Sequence, residues 1–324
     1  MTIRSMVRQE TSSLRALPAE PEPPAHLETE SATRLSLDDC RRPAPLFADL
    51  VHDVATMTGV EPRALSVRTL LHLPRIARHD GLVNWNGIQR ELRRSAAGLQ
   101  ADQARTRGLI STAALPLQHL RFVEFDAREA AAIFSHLHYL RSARQGSRNF
   151  ALVDPVNGLP VSLCSASPLE WRRVGRQVEM QFQVPQSRVW DVSRVYSIDV
   201  APANSISFLL AKVRNFFRQG VGDAELLITA VDPNLGFTGS SYRAANWHRW
   251  MSIQARPYLY VDRLYTSPRQ LRQRFGTADL AVVRTRRAVV EQSRAKLLDS
   301  AIFCCRVRGE TEPVHPDAQR RIRR

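Results

Sequence analysis

The sequence predicts an α/β fold, with a mixed central sheet flanked by helices and a small helical module in front of it. Three observations carry the prediction. Apolar residues recur at helical spacing between residues 45 and 112. From residue 120 the spacing changes, and strand-like runs alternate with helical stripes as in one α/β domain. The chain has 324 residues, 44% of them apolar and 24% charged, enough to bury a substantial core.

Residues 1–44 read as a disordered tail. "ALPAEPEPPAHLETESATRLS" is rich in Pro, Glu, Ser and Thr and poor in the large apolar side chains that offset the entropy of ordering. No apolar run of signal-peptide length follows Met1, and no stretch of about 18 apolar residues exists, so neither secretion nor a membrane span is expected. The helical module spans residues 45–112. Phe47, Leu50, Val51 and Val54 form one stripe, and Leu65, Leu70, Leu71 and Leu73 a second before Pro74. Ile88 and Leu92 form a third, with Arg90, Arg93 and Arg94 outside. Such a basic outer face suits either a nucleic-acid module or a solvated cap on the main domain.

The main domain spans residues 120–308. "LRFVEF" (120–125) is strand-like, and Asp126 with Glu129 three places on opens a helix over 127–140. "NFALVDPVNGLPVSLCSA" reads as a hairpin around Asn157-Gly158. "RQVEMQFQV" alternates Val178, Met180, Phe182 and Val184 with polar residues, predicting a strand, and residues 191–200 predict another. A helix starts at Asn204 or Ser205 and stops at Gly220, with Ile206, Leu209, Leu210, Val213, Phe216 and Phe217 as its stripe. "AELLITAV" (224–231) has the composition of a buried central strand. Residues 256–266 predict a strand, 284–298 a basic helical region, 301–308 a last strand and 309–324 a basic tail.

Charge narrows the partners. Residues 46–324 carry 40 basic against 24 acidic residues, nearly all the basic ones Arg, with 16 basic against 7 acidic from Arg256 onward. Arg forks match phosphate geometry and counterion release favours polyanions, so nucleic acid is the expected partner, DNA first and tRNA second. A high-GC genome would explain the preference for Arg over Lys but not the excess. The four cysteines have no C-x-x-C spacing, and His136 and His138 are two apart on a predicted helix, so no metal site or disulfide framework is expected. A reducing, cytoplasmic setting follows.

"HLHYLRSARQGSRNFALVD", "RVYSIDVAPANSISFLLAKVRNFF" and "LLITAVDPNLGFTGSSYRAANWHRW" together resemble the Mom DNA-modification family of bacteriophages and its GNAT-fold relatives, which include a protein of anti-phage defence loci. The resemblance covers about residues 120–305, and the block from Asp232 to Trp247 is its specific part. It implies a GNAT-like sheet and a transferase that modifies the exocyclic amine of adenine in DNA, protecting the DNA from restriction. The chain departs from the family in its helical segment at 45–112 and in lacking a Gly after His138-Tyr139-Leu140.

The residues themselves suggest roles. Asp232 ends the central strand, where open α/β sheets place ligands, and could take the amine's proton; it is equally an Asp-Pro turn starter. His138, the alternative base, is otherwise a structural helical His. Tyr242 could serve as general acid or stack on a base, and Asn246 is expected on the same helical face. Trp247 is expected in the core. Gly236 and Gly239 permit close approach, with Ser241 beside them. The turn "APANSIS" has no glycine, so acetyl-CoA is not the expected donor, and the donor is left unassigned. Asn204, Ser205 and Ser207 could bind a donor or simply cap the helix. Arg243, Arg249, Arg284, Arg286 and Arg287 are candidate phosphate contacts or solvated surface. Besides the adenine-modifying transferase, two alternatives fit: an aminoacyl-tRNA-dependent transferase, and a non-catalytic nucleic-acid-binding defence protein.

Overall fold

The computed structural model describes residues 33–220, 223–286, 289–311 and 321–322. Residues 34–41, which composition alone assigns to the tail, form β1 (Arg34–Ser36) and α1 (Leu37–Arg41). A capping box starts α1: Asp39 N donates to Ser36 Oγ (3.1 Å) and Ser36 N to Asp39 Oδ2 (3.2 Å). Buried Leu37 and Cys40 hold it down. α2 (Pro45–Thr58), α3 (Pro62–Ile76), β2 (Leu82–Asn84) and α4 (Trp85–Arg105) follow, with β2 antiparallel to β1. The three helices interlock through Phe47, Leu65, Leu73, Ile88 and Leu92, all fully buried, while Arg90, Arg93 and Arg94 face solvent. Pro74 lies in the last turn of α3, two residues before its end.

The sheet begins with β3 (Arg121–Phe125), α5 (Ala127–His136), β4 (Arg148–Val153) and β5 (Pro160–Pro168). α6 (Arg172–Phe182), β6 (Val189–Ser197), α7 (Ser205–Arg218), β7 (Leu226–Val231), α8 (Ser240–Ala244) and β8 (His248–Ile253) come next. An insertion holds β9 (Leu259–Val261), β10 (Leu264–Tyr265), α9 (Pro268–Phe275), α10 (Leu280–Thr285) and β11 (Val290–Gln292), after which β12 (Ser300–Arg306) and β13 (Arg321–Ile322) complete the elements. The order across the sheet is β13-β8-β12-β7-β6-β5-β4-β3, antiparallel except for the β6–β7 and β13–β8 pairs. This is a mixed, mostly antiparallel sheet flanked by helices, as the sequence predicts.

Strand alternation divides the two faces. Phe150, Leu152, Leu227, Phe303 and Cys305 pack under α7. Their alternates point the other way, Ala151, Val153 and Leu163 onto α5 and Ile228, Ile302 and Cys304 onto α6. None of the four cysteines is in a disulfide. Among the described residues no helix is long and apolar enough to cross a membrane.

Four local predictions are corrected. Residues 172–182 are helix, not strand: Val174, Val178 and Phe182 lie four apart on a buried face, and Met180, which the alternating pattern would bury, is 73% exposed. The helix over 127–140 stops at His136, so His138 and Tyr139 belong to the loop after it. Residues 256–266 are two strands, because Asp262 and Arg263 both take left-handed conformations (φ 52° and 65°) and turn the chain back in two residues. The basic region at 284–298 holds only the end of α10, then β11 and irregular chain. β9, β10 and β11 form a separate sheet whose Tyr258 and Tyr260 enter the core of the helical layer, Tyr260 Oη donating to Leu71 O (3.0 Å). Residues 1–32 and most of the basic tail lie outside the described residues.

Candidate active site

β6 and β7 pair in parallel over three residues only, Val189–Asp191 against Leu226–Ile228, and both strands continue past the point where the pairing stops. At this fork Thr229 Oγ1 donates to Val192 O (2.8 Å). A bulge on β6 leaves Ser193 without an opposite residue on β5, between Val192 facing Ala166 and Arg194 facing Ser165. The C-terminal ends of the parallel pair, where open sheets bind ligands, carry Tyr196 and Ser197 on one strand and Asp232 just beyond the other.

Asp232 is both a turn starter and a half-buried anchor. Its Oδ1 accepts from Asn234 N (3.0 Å) and Asn234 Nδ2 (2.8 Å), and its Oδ2 accepts from Tyr258 Oη. Burial first, and then the Asp232 charge, push the Tyr258 phenol well above its ordinary pKa, which keeps it a donor. Asn234, 2% exposed, accepts from Arg41 Nη2 (2.8 Å) and Leu298 N (2.9 Å), tying α1 to the strand ends. Gly236 (φ 77°) and Gly239 (φ 76°) take the left-handed conformation. A Cβ on Gly239 would lie 2.3 Å from the Phe303 ring, so this glycine brings the start of α8 directly onto β12.

The loop after α5 faces Asp232 across the site and is strapped on several sides. Arg194 Nε donates to Ser142 O (2.9 Å), Arg144 Nη1 reaches Asp191 Oδ2 (2.7 Å) at the fork, and Gln270 Nε2 donates to Leu140 O (2.9 Å). Within the loop, His138 is 4% exposed and its Nδ1 accepts from Leu140 N (3.2 Å), so the proton of the neutral ring sits on Nε2. Burial, and then the nearby Arg194 charge, hold its pKa well below the ordinary histidine value. The ring is therefore a neutral hydrogen-bond donor. The Tyr139 ring lies tilted against His138 (4.4 Å between centroids) and Phe237 (5.7 Å), with its phenol pushed up by burial and by Asp232.

Between α3 and the strand ends lies a cleft of ≈ 590 Å³, counting its open mouth, lined by Glu61, Arg68, His138, Tyr139, Tyr196 and Asp199. Glu61 stands at the N-cap position of α3 yet makes no capping bond. Its carboxylate crosses instead to the sheet, where it accepts from Asp199 N (3.2 Å) and Tyr196 Oη (3.4 Å). Burial, then repulsion from Asp199, push its pKa up to about 7. Arg68 is fixed behind the cleft by Asp102 Oδ2 (2.7 Å), which also accepts from Arg141 Nη1 (2.6 Å).

The remaining predicted site residues are dispersed. Tyr242 in α8 packs between Trp247 (5.5 Å) and Phe303 (5.7 Å), its hydroxyl 3.4 Å from Thr229 Oγ1 at the fork and its pKa pushed up to about 12 by burial. Trp247 is buried, as expected. Asn246 does not share a helical face with Tyr242: α8 ends at Ala244 and Asn246 is left-handed (φ 60°) and exposed. It lines a shallow groove with Asn204 and Ser207. At the start of α7, Asn204 is itself left-handed and makes no capping bond, while Ser205 Oγ donates to Pro202 O (2.6 Å) and Ser207 Oγ to Asn204 O (2.9 Å). Ser241 is half-buried in α8. Arg243 donates to Thr238 O (2.9 Å); Arg249 on β8 and Arg284 and Arg286 around α10 are exposed, and Arg287 lies outside the described residues.

Sequence reasoning missed Glu61, Tyr196 and Arg68, which come from the helical layer and from the interior of a strand. The one local signal is the Glu-Pro pair at 61–62, since a Glu at an N-cap is a poor cap.

The family model described as the Mom protein family matches residues 119–300. No curated protein sequence matches the chain significantly. Among solved structures, Arabidopsis thaliana NAA60 in complex with acetyl-CoA is 9% identical, with a TM-score of 0.36, covering 59% of this chain and 99% of its own. The aminoglycoside N(6')acetyltransferase of Legionella pneumophila is 7% identical, with a TM-score of 0.31, covering 58% of this chain and 92% of its own.

Proposed function

The chain belongs to the Mom protein family, and from that premise we propose that it is a transferase that modifies the exocyclic amine of adenine in DNA. The observation that carries the reading is the family match itself, whose span of residues 119–300 contains the fork of β6 and β7, the His138–Tyr139 loop and the 232–247 block. The excess of Arg supports a polyanionic substrate.

In this reading the parts divide the work. The strapped loop and the Asp232–Tyr258 pair hold the acceptor base, and the neutral His138 ring donates its Nε2 proton to an oxygen or ring nitrogen of the substrate. Tyr242, at the fork, offers its hydroxyl to the leaving side of the donor. An adenine inside a duplex cannot reach a cleft bounded by α3, so the base must leave the stack, with surface Arg residues on the flanking phosphates.

The test is to express the protein in a restriction-free host, digest the DNA and analyse nucleosides by mass spectrometry. A modified deoxyadenosine is expected, and an unmodified profile with soluble, folded protein overturns the reading. If modifying activity in a lysate disappears on ribonuclease treatment, the donor is carried on RNA.

A further inference from the structure

Glu61 is the one carboxylate that enters the cleft from the helical layer. Its position is unusual in three ways. It precedes α3, where a side chain normally turns back to cap the helix, yet it reaches across to β6. It is half-buried in a cavity that also holds the buried His138 and the half-buried Tyr139, both from the loop after α5. Its two hydrogen bonds, from Asp199 N and at 3.4 Å from Tyr196 Oη, use one lone pair on each oxygen and leave further acceptor capacity.

We propose that Glu61 is the proton acceptor of the transfer reaction. This rests on the reading of the chain as an amine-modifying transferase. The attacking nitrogen of the amine forms a bond to the electrophilic carbon of an activated acyl or alkyl donor. The bond from that carbon to its leaving group breaks, and the leaving group departs with the electron pair. The proton lost from the nitrogen passes to the Glu61 carboxylate, which returns it to water at the cleft mouth. The other candidates are poorly placed for the same step. The His138 ring already uses Nδ1 as an acceptor, and Asp232, which accepts three hydrogen bonds from Asn234 and Tyr258, is not among the residues lining the cleft.

The groups facing Glu61 set its working range. Asp199 from the β6–α7 loop raises its proton affinity, Arg63 lowers it, and Tyr196 donates to it; Arg68, His138 and Tyr139 face the same cleft. A pKa of about 7 places the carboxylate at the balance point for a base working near neutrality.

The experiment measures modification of a single-stranded adenine-containing oligonucleotide by the full chain, in extract that supplies the donor, between about pH 5.5 and 8.5. For the wild type, kcat/KM is expected to rise through a limb centred near pH 7. Glu61→Gln keeps one carbonyl oxygen to accept from Asp199 N and turns its amide N–H toward Tyr196 Oη, which can accept in place of donating. It is expected to lower kcat by about 100-fold, the usual size of a general-base contribution, with oligonucleotide affinity within about twofold and the limb abolished. A flat wild-type profile overturns the proposal, as does a Glu61→Gln enzyme that retains the limb. If the wild type forms no modified nucleoside at any pH, the transferase reading falls and this assignment with it. An active wild type with an equally active Glu61→Gln enzyme removes the Glu61 assignment alone.

Discussion

Single residues fix the segment after β7, and Gly239 is the sharpest instance. Its left-handed backbone and the 2.3 Å separation between a Cβ and the Phe303 ring act together, so Gly239→Ala meets both strain and overpacking. A loss of about 2–5 kcal/mol in urea denaturation is expected, against about 1 kcal/mol for Gly158→Ala, which has the same sign of φ (74°) and open space around it. Equal losses at the two positions would show that the Phe303 contact is not tight. Glu61 gives a second prediction, independent of activity. Its folded pKa, about 7, lies above its ordinary value of 4.5, so the folded state binds the proton more tightly than the unfolded one. Stability associated with this group is therefore fully present below about pH 4.5 and is lost as pH rises through 7. Glu61→Gln removes that loss. Its Tm should exceed the wild-type value at pH 8 and match it at pH 5, and the opposite ordering would mean that Glu61 is held as an anion. Asp232 and His138 could be picked out as candidates from the sequence because each lies beside a recognisable element end. Glu61 was not, because its relevance depends on where α3 packs, 135 residues away in sequence from Tyr196.

At the scale of elements, the junction between the helical layer and the sheet turns on Asp102 in α4. It is almost fully buried and accepts from Arg68 on α3, and from His136 and Arg141 at the end of α5. Burial would raise its pKa, but Arg141 and Arg68 more than offset this and hold the carboxyl below its ordinary range. Removing the carboxylate leaves Arg68 buried without a counter-charge. Asp102→Ala is expected to cost about 3–5 kcal/mol, measured by denaturation at pH 7, and to weaken substrate binding by loosening the loop that carries His138. Because the folded pKa is depressed, the contribution of Asp102 is present above about pH 4 and lost as pH falls through the folded value. The Asp102→Ala penalty should therefore shrink in acid, and a penalty that does not change with pH would show that packing, not charge, is lost. Elements were legible where one period dominated: β7 and α7 stand where the apolar runs put them. α6 was misread because Val178 and Phe182 satisfy both the two-residue and the four-residue period, and only tertiary packing exposes Met180. The β9–β10 turn escaped notice because Asp-Arg is not a residue pair that advertises two left-handed positions.

At the scale of the whole molecule, the helical layer and the sheet behave as one body. Residues 33–324 form a single compact unit, and the core of α2, α3 and α4 continues without a break into Leu235, Tyr258, Tyr260 and Leu297 from the other side. The layer thus serves as a wall of the cleft, and its stability is coupled to that of the fork. This predicts one cooperative unfolding transition. Four of the five tryptophans, Trp171, Trp190, Trp247 and Trp250, lie outside the helical layer, so intrinsic fluorescence reports mainly on the sheet domain. Far-UV circular dichroism reports helices throughout. Leu65→Ala deletes a fully buried side chain of α3 and should cost about 2–5 kcal/mol. If the layer and the sheet unfold together, the fluorescence and dichroism midpoints of the variant fall by the same amount and remain coincident. A fluorescence midpoint that stays at the wild-type value while dichroism shows an earlier phase would make the helical layer an independently folding cap, and Glu61 would then sit on a part of the molecule free to leave the site.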